Sequence, residues 1–445
     1  MTSAYMCAPM RLAILGALAL SLAACTAQTD GDDAESASDA EEIVSSGKDD
    51  PRFAVKLDRS WLLRGDARTP SDRELVVHVA APSTVTRLRA QIDRGRTFSA
   101  RRDATGFTFK LPIDTVTTGE HTLLLAESFA TRSFATRTFH VSAPLYVVVS
   151  TDWDDTRFAD DRLRRMERLS QLHPEMLLTH FFAPFHYTDP TLTPSRKQFF
   201  EDWIKRDRAT RKSEIGVHIH TWCHFVVAAG VKCHPQPAFA PNDDSGYVTI
   251  LASYSEAEMR AMLRKSREIF AEHDLGSPTS FRAGGWTADE GTMRALASEG
   301  FAVDTSALPF KRIEEWKGYE LYRWNESNWL GITETSQPYF PSRTEVASTA
   351  TTDTLPILEV PDNGILVDYV TGAEMIGIYE QNAPSGKALS KPTVFQVGYH
   401  PPNFSDAYLS RLDQALGHVD ENLYSQDKGP AVYVTISELT KVWRR

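Results

Sequence analysis

From Pro144 onward the chain alternates short apolar runs with amphipathic helical patterns, and this alternation is what most narrows the folds open to it. The runs are Tyr146 to Ser150, Met176 to Phe182, Glu214 to His220, Thr279 to Ala283, Phe301 to Asp304, Ile357 to Val360, Val394 to Tyr399 and Ala431 to Ile436. Ser255 with Glu258 makes a capping-box pattern ahead of Met259, Met262, Leu263, Ile269 and Phe270, and Thr287 with Glu290 repeats it ahead of Met293 and Leu296. Strands that alternate with helices build a parallel sheet, and this many can close as a barrel. The sequence therefore predicts an α/β fold, a (β/α) barrel over residues 144–445, with its chemistry at the carboxyl ends of the strands.

Residues 52–143 have a different texture. Short alternating runs such as Glu74 to Ala80, Gly106 to Leu111 and Glu120 to Ala126 are separated by turn-forming residues, with no long helical pattern. This predicts a small all-β sandwich, Ig-like in size and spacing. Its role is open between spacing, sugar binding and cover for the active site.

The N-terminal segment reads as an export signal and a tether. Arg11 is followed by an uncharged apolar run from Leu12 to Ala24, too short to span a bilayer but laid out like a secretory signal over residues 1–24. Its end, Leu22-Ala23-Ala24-Cys25, resembles the lipobox of bacterial lipoproteins, which implies lipidation at Cys25. Residues 25–51 then read as an acidic tether, since positions 26 to 50 hold nine acids, one lysine and almost no large apolar side chain. The expectation is an exported protein, lipid-anchored to a bacterial membrane. Most of the net charge of −11 lies in this tether, and no basic surplus marks nucleic acid as a partner. Export leaves Cys223 and Cys233 in the mature protein, most simply as a disulfide, with zinc ligation by Cys223 as the alternative.

Two strand ends concentrate chemistry. The first reads Ser150-Thr-Asp152-Trp-Asp154-Asp155, with carboxylates so close that they raise one another's pKa unless a cation sits among them. The third reads Gly216-Val-His218-Ile-His220-Thr-Trp-Cys-His224. His218 and His220 share a face of an extended strand, whereas His220 and His224 converge on a helical turn. Two histidines and a carboxylate are a common zinc donor set.

Together these segments resemble the polysaccharide deacetylases, carbohydrate esterase family 4. Ser150 to Asp155 is similar to the family's acidic motif, His220-Thr-Trp-Cys-His224 to its histidine motif, Phe281-Arg282-Ala-Gly-Gly-Trp286 to its arginine motif, and Phe395-Gln-Val-Gly-Tyr-His400 to its last. The resemblance implies a distorted (β/α) barrel and a metal-dependent hydrolase that removes acetyl groups from a glycan, N-acetyl rather than O-acetyl. It further implies a divalent metal, zinc or another transition ion, a base at Asp152, an acid at His400, and Arg282 holding the base. Asp304 falls where the family often has a further aspartate, and an ion pair between it and Arg282 is an alternative use of the arginine. The ligands stay open. The pair is either His218 with His220 or His220 with His224, and the acidic roles belong either to Asp152 and Asp154 or to Asp154 and Asp155. Trp153, Trp222 and Trp286 lie inside the motifs and are candidate walls of a sugar groove. Two other functions compete: a glycan-binding envelope lipoprotein without catalysis, and a metal-dependent amidase on a smaller substrate.

Overall fold

The structure, a computed structural model, describes residues 42–241, 244–348 and 352–444. Cys25, the signal and most of the tether lie outside the described residues. Among the described residues no helix is long and apolar enough to cross a membrane.

Each of the eight apolar runs coincides with or overlaps a strand: β1 (Leu145–Asp152), β2 (Leu178–Phe182), β3 (Glu214–Ile219), β4 (Ser280–Ala283), β5 (Val303–Asp304), β6 (Leu358–Glu359), β7 (Thr393–Tyr399) and β8 (Ala431–Tyr433). They form one sheet in the order β6-β5-β4-β3-β2-β1-β7, with β8 also beside β1, and every pairing is parallel. β1 is buried along its whole length because both of its faces are covered. Leu145, Val147 and Val149 join the core that includes the surrounding helices, whereas Tyr146 and Val148 join Val394, Val434, Ile436 and Leu439 in a separate cluster. The capping box at Ser255 and Glu258 forms as the sequence predicts. The one at Thr287 does not: Asp289 caps that helix, and the Thr287 hydroxyl donates to Gly284 O while accepting from Leu251 N.

The barrel is distorted where β6 should meet β7. After β6 the chain turns at Asn363 and Gly364, and residues 363–367 run beside β7 through one parallel bridge, Leu366 with Gly398. Asn363 stitches this seam, its Nδ2 donating to Val394 O at 2.9 Å and its Oδ1 accepting from Gln396 N at 2.9 Å. Gly364 is required there, since a Cβ would meet Gln396 O at 2.3 Å. The irregular seam matters because Asp362 and Asp368 flank it.

Residues N-terminal to the barrel form two sheets over a shared core. One sheet holds Ala54–Leu57, Glu74–Ala80 and Phe107–Pro112; the other holds Trp61–Leu63, Ala135–Ser142, Gly119–Glu127, Arg87–Ile92 and Thr97–Arg101. The tether is shorter than the sequence suggests. Ile43 is buried against Leu124 and Ala126, and Val44 N and Asp50 N donate to Thr131 O and Phe134 O. The apolar pair Ile43 and Val44 gives this end of the acidic stretch something to bury.

The sandwich docks on the end of the barrel where the strands begin. Tyr146, near the start of β1, donates to Asp66 at 2.8 Å; Asp427, ahead of β8, accepts from Ser60 N and Trp61 N at 2.8 Å; Leu389 N, ahead of β7, donates to Ser142 Oγ at 2.8 Å. The site described next lies at the opposite end, so the sandwich does not cover it.

Candidate metal centre

Parallel register brings the motif residues level at the carboxyl ends of the strands. Asp152 pairs with Phe181, His218 with Arg282, and Tyr399 with Thr151. Alternation then sorts the side chains. Asp152 and Asp154 turn toward the site, while Trp153 between them turns outward and is fully buried among Phe158, Phe182, Phe200 and Trp203. Trp153 therefore has no face to offer a sugar.

Asp154, His218 and His220 place one potential donor atom each within 4.8 Å of one another, the one such group found among the described residues. Asp154 Oδ1 lies 2.9 Å from His218 Nε2 and 3.5 Å from His220 Nε2. The tautomers are fixed from behind. His218 Nδ1 donates to Arg282 O and His220 Nδ1 donates to Tyr247 O, each at 2.9 Å. A neutral imidazole that donates through Nδ1 keeps a lone pair on Nε2, so two lone pairs and a carboxylate oxygen face one another. Such a set calls for a cation among its members, and the donor chemistry fits zinc or a related metal. Burial alone would raise the pKa of Asp154, but His400, the foremost of the groups opposing it, helps hold the carboxyl well below the usual range. Its side chain keeps 17% of its surface exposed, which leaves the centre open on one side. Gly284 makes room for the donor set, because a Cβ there would lie 2.7 Å from the His220 ring.

The other ligand candidates sit elsewhere. His224 Nδ1 is bonded to Thr188 Oγ1 at 2.8 Å, and Asp155 accepts from Arg157 Nε at 2.8 Å. The five-residue stretch from His220 to His224, the closest letter match to the family motif, does not bring its two histidines to one centre. His220 ends a strand, whereas His224 lies in the helix Cys223–Ala228. Cys223 is disulfide-bonded to Cys233, which removes it as a ligand.

Arg282 lies beneath the centre with no exposure. Its Nη1 donates to Asp152 Oδ1 at 2.9 Å and to Ser150 Oγ at 3.1 Å, its Nε donates to Thr305 O at 3.1 Å, and its Nη2 lies 3.5 Å from Asp362. Asp304 is not its ion-pair partner; that carboxylate accepts from Ser306 N and Ser306 Oγ. Burial and the adjacent Asp304 push Glu359 well above the usual carboxylate range. Burial raises Asp362 to about 6 despite Arg282.

On the far side, His400 Nε2 lies 3.6 Å from Asp154 Oδ2, and its Nδ1 lies 3.0 Å from Asp368. Burial disfavours the imidazolium, but Asp368 and Asp154 overcome it and push the pKa up to about 10. A cation beside Asp154 would draw that value back toward neutrality. Trp286 is buried close by, donating through Nε1 to Asp362 at 3.2 Å. Trp222 is partly exposed, with the Arg157 guanidinium 5.0 Å over its ring, and is the motif tryptophan best placed to wall a groove.

Asp362, Asp368 and Tyr247 are absent from the sequence reading. The two aspartates carried a weak signal, each just after an apolar run, Ile357 to Val360 and Ile365 to Val367. Tyr247 carried none.

No protein-family model matches the chain, and no curated protein matches it in sequence. Among solved structures it is similar to a Mycobacterium smegmatis protein described as a polysaccharide deacetylase, 16% identical over 67% of this chain and 89% of that one, with a TM-score of 0.40. A Parabacteroides distasonis protein described as a glycoside hydrolase/deacetylase is 12% identical over 67% and 70%, with a TM-score of 0.43. The family 4 carbohydrate esterase from Streptomyces lividans, in complex with acetate, is 10% identical over 66% and 95%, with a TM-score of 0.33. These are loose likenesses, and the chemistry assigned to the site stands on the chain's own side chains.

Proposed function

We propose that this chain is a metal-dependent deacetylase that hydrolyses acetyl groups, N-acetyl before O-acetyl, from a polysaccharide or cell-envelope glycan. The observation that carries the reading is the convergence of two Nε2 lone pairs and the Asp154 carboxylate, with Asp152 and His400 on either side. A divalent cation held by Asp154, His218 and His220 would supply Lewis-acid polarisation of the acetyl carbonyl and a water of lowered pKa.

The chain's own residues supply the proton traffic. Asp152 takes a proton from the attacking water as its oxygen bonds to the acetyl carbon. Arg282 aims Asp152 through a charge-assisted hydrogen bond. His400, held in its charged form by Asp368, gives a proton to the departing amine as the carbon–nitrogen bond breaks. Acetate and a free amine leave. The partly exposed Trp222 offers an aromatic face to a sugar ring at the open side.

The anchor belongs to the same proposal: lipidation at Cys25 would hold the enzyme at a bacterial membrane, supported by the uncharged run Leu12 to Ala24 before that cysteine. The test is metal analysis of the purified protein together with acetate release from N-acetylated glycans. One metal per chain and metal-dependent acetate release are expected; absence of both overturns the reading.

A further inference from the structure

Tyr247, in the segment that follows Cys233, belongs to no motif, yet it touches the candidate metal centre directly. Tyr247 makes three separate contacts there. Its hydroxyl donates to Asp154 Oδ2 at 2.9 Å, its carbonyl accepts from His220 Nδ1 at 2.9 Å, and its ring stacks on His220 with centroids 4.4 Å apart. The backbone just ahead of it is fastened to the stretch that follows His220. Cys223 N donates to Ser245 O at 2.7 Å, Thr221 Oγ1 donates to Gly246 O at 2.9 Å, and the Cys223–Cys233 disulfide ties the start of the segment to the turn that follows His220. Gly246 adopts φ +82°, and a Cβ there would meet Thr221 O at 2.3 Å, so this approach admits only glycine.

We propose that Tyr247 is a positioning residue of the metal centre, presented by a loop that the Cys223–Cys233 disulfide fastens. A carboxylate free to rotate can offer either oxygen, or both, to a cation. With the phenol donating to Oδ2, Oδ1 is the oxygen that faces His218 and His220. The Tyr247 carbonyl meanwhile selects the His220 tautomer whose Nε2 carries the lone pair. The inference rests on the metal reading of Asp154, His218 and His220.

The test uses the full chain stripped of metal and titrated with Zn2+ by calorimetry, and with Co2+ followed by its visible absorption. Y247F keeps the ring and the carbonyl and removes one donor. Its Zn2+ affinity is expected to fall by roughly 10- to 100-fold, the usual loss when a partner of a ligand is removed. The Co2+ bands should shift, and the melting temperature of the metal-free protein should hold. The control is Y433F, whose hydroxyl donates to Asp420 Oδ1 at 2.9 Å, away from both the centre and this loop; it should bind like the wild type. C223A/C233A, which frees the loop, should weaken binding in the same direction. Wild-type affinity in Y247F overturns the proposal whatever the cysteine variant does, and if Y247F fails to fold the cysteine variant decides it. A wild-type protein that binds neither Zn2+ nor Co2+ overturns the metal reading itself, a result distinct from failure of Tyr247 alone.

Discussion

The guanidinium of Arg282 donates to the carboxylate of Asp152 at 2.9 Å from a position with no solvent exposure. A charge this deep stays only where opposite charge and hydrogen-bond acceptors surround it, and Asp152, Asp362, Ser150 and Thr305 provide both. Replacing Arg282 by Met leaves the carboxylates without their counter-charge. R282M is expected to lose about 3–5 kcal/mol of stability, read by urea denaturation. A loss below about 1 kcal/mol would show that the network is not structural.

Asp152 and the donor set can be separated experimentally. D152N preserves shape and leaves Asp154, His218 and His220 in place. Acetate release should fall by about 10²- to 10⁴-fold, the usual range for loss of a general base, with Zn2+ affinity within a few-fold of wild type. Retained turnover in D152N would move the base to another residue.

His186 predicts how stability responds to acid. It is fully buried, with Nδ1 bonded to Thr156 Oγ1 and Nε2 donating to Lys197 O, and burial pushes its pKa down to about 4. Between about pH 6.5 and pH 4 the unfolded chain therefore binds a proton that the folded chain refuses. Stability should decline as pH falls through that window, by about 1.4 kcal/mol per pH unit from this group. H186Q can keep both hydrogen bonds without titrating, so its stability measured at pH 4.5 and pH 7 should differ by less than that of the wild type. An unchanged pH slope in H186Q counts against the assignment.

Trp153 and Trp222 should answer differently to the same substitution. W153A empties a fully enclosed aromatic cluster and is expected to cost about 3–5 kcal/mol. W222A removes a partly exposed ring and should act mainly on KM for a glycan substrate. Equal effects on stability would remove Trp222 from the groove.

The bond between Cys223 and Cys233 is checked by alkylation and mass spectrometry. The peptides carrying them should take up no label until a reductant is added. Labelling of both without reduction counts against the bond.

The strands were legible in the sequence because a strand buried on both faces must be an unbroken apolar run, and each of the eight runs coincides with or overlaps one. The seam between β6 and β7 was not, because Pro361, Asn363 and Gly364 break the pattern that marks a strand, and side-chain bonds from Asn363 supplement a few backbone bonds in the pairing. Asp362 and Asp368 were lost with that seam. Trp153 is adjacent to Asp152 and Asp154 in sequence but not beside the centre in space, because alternation sends it to the other face, where it is buried.

By itself the sequence determined the parallel (β/α) architecture and the residues from which the centre is drawn, since burial periodicity and strand-end chemistry are local properties of the chain. It could not choose among His218, His220 and His224, or between Asp154 and Asp155. That choice depends on which Nε2 and which carboxylate oxygen face one another, and it is made by groups distant in sequence: Arg282 O behind His218, Tyr247 O behind His220, and Thr188 Oγ1 drawing His224 away. A donor set is a relation between strands and loops, and only the folded chain brings those to one place.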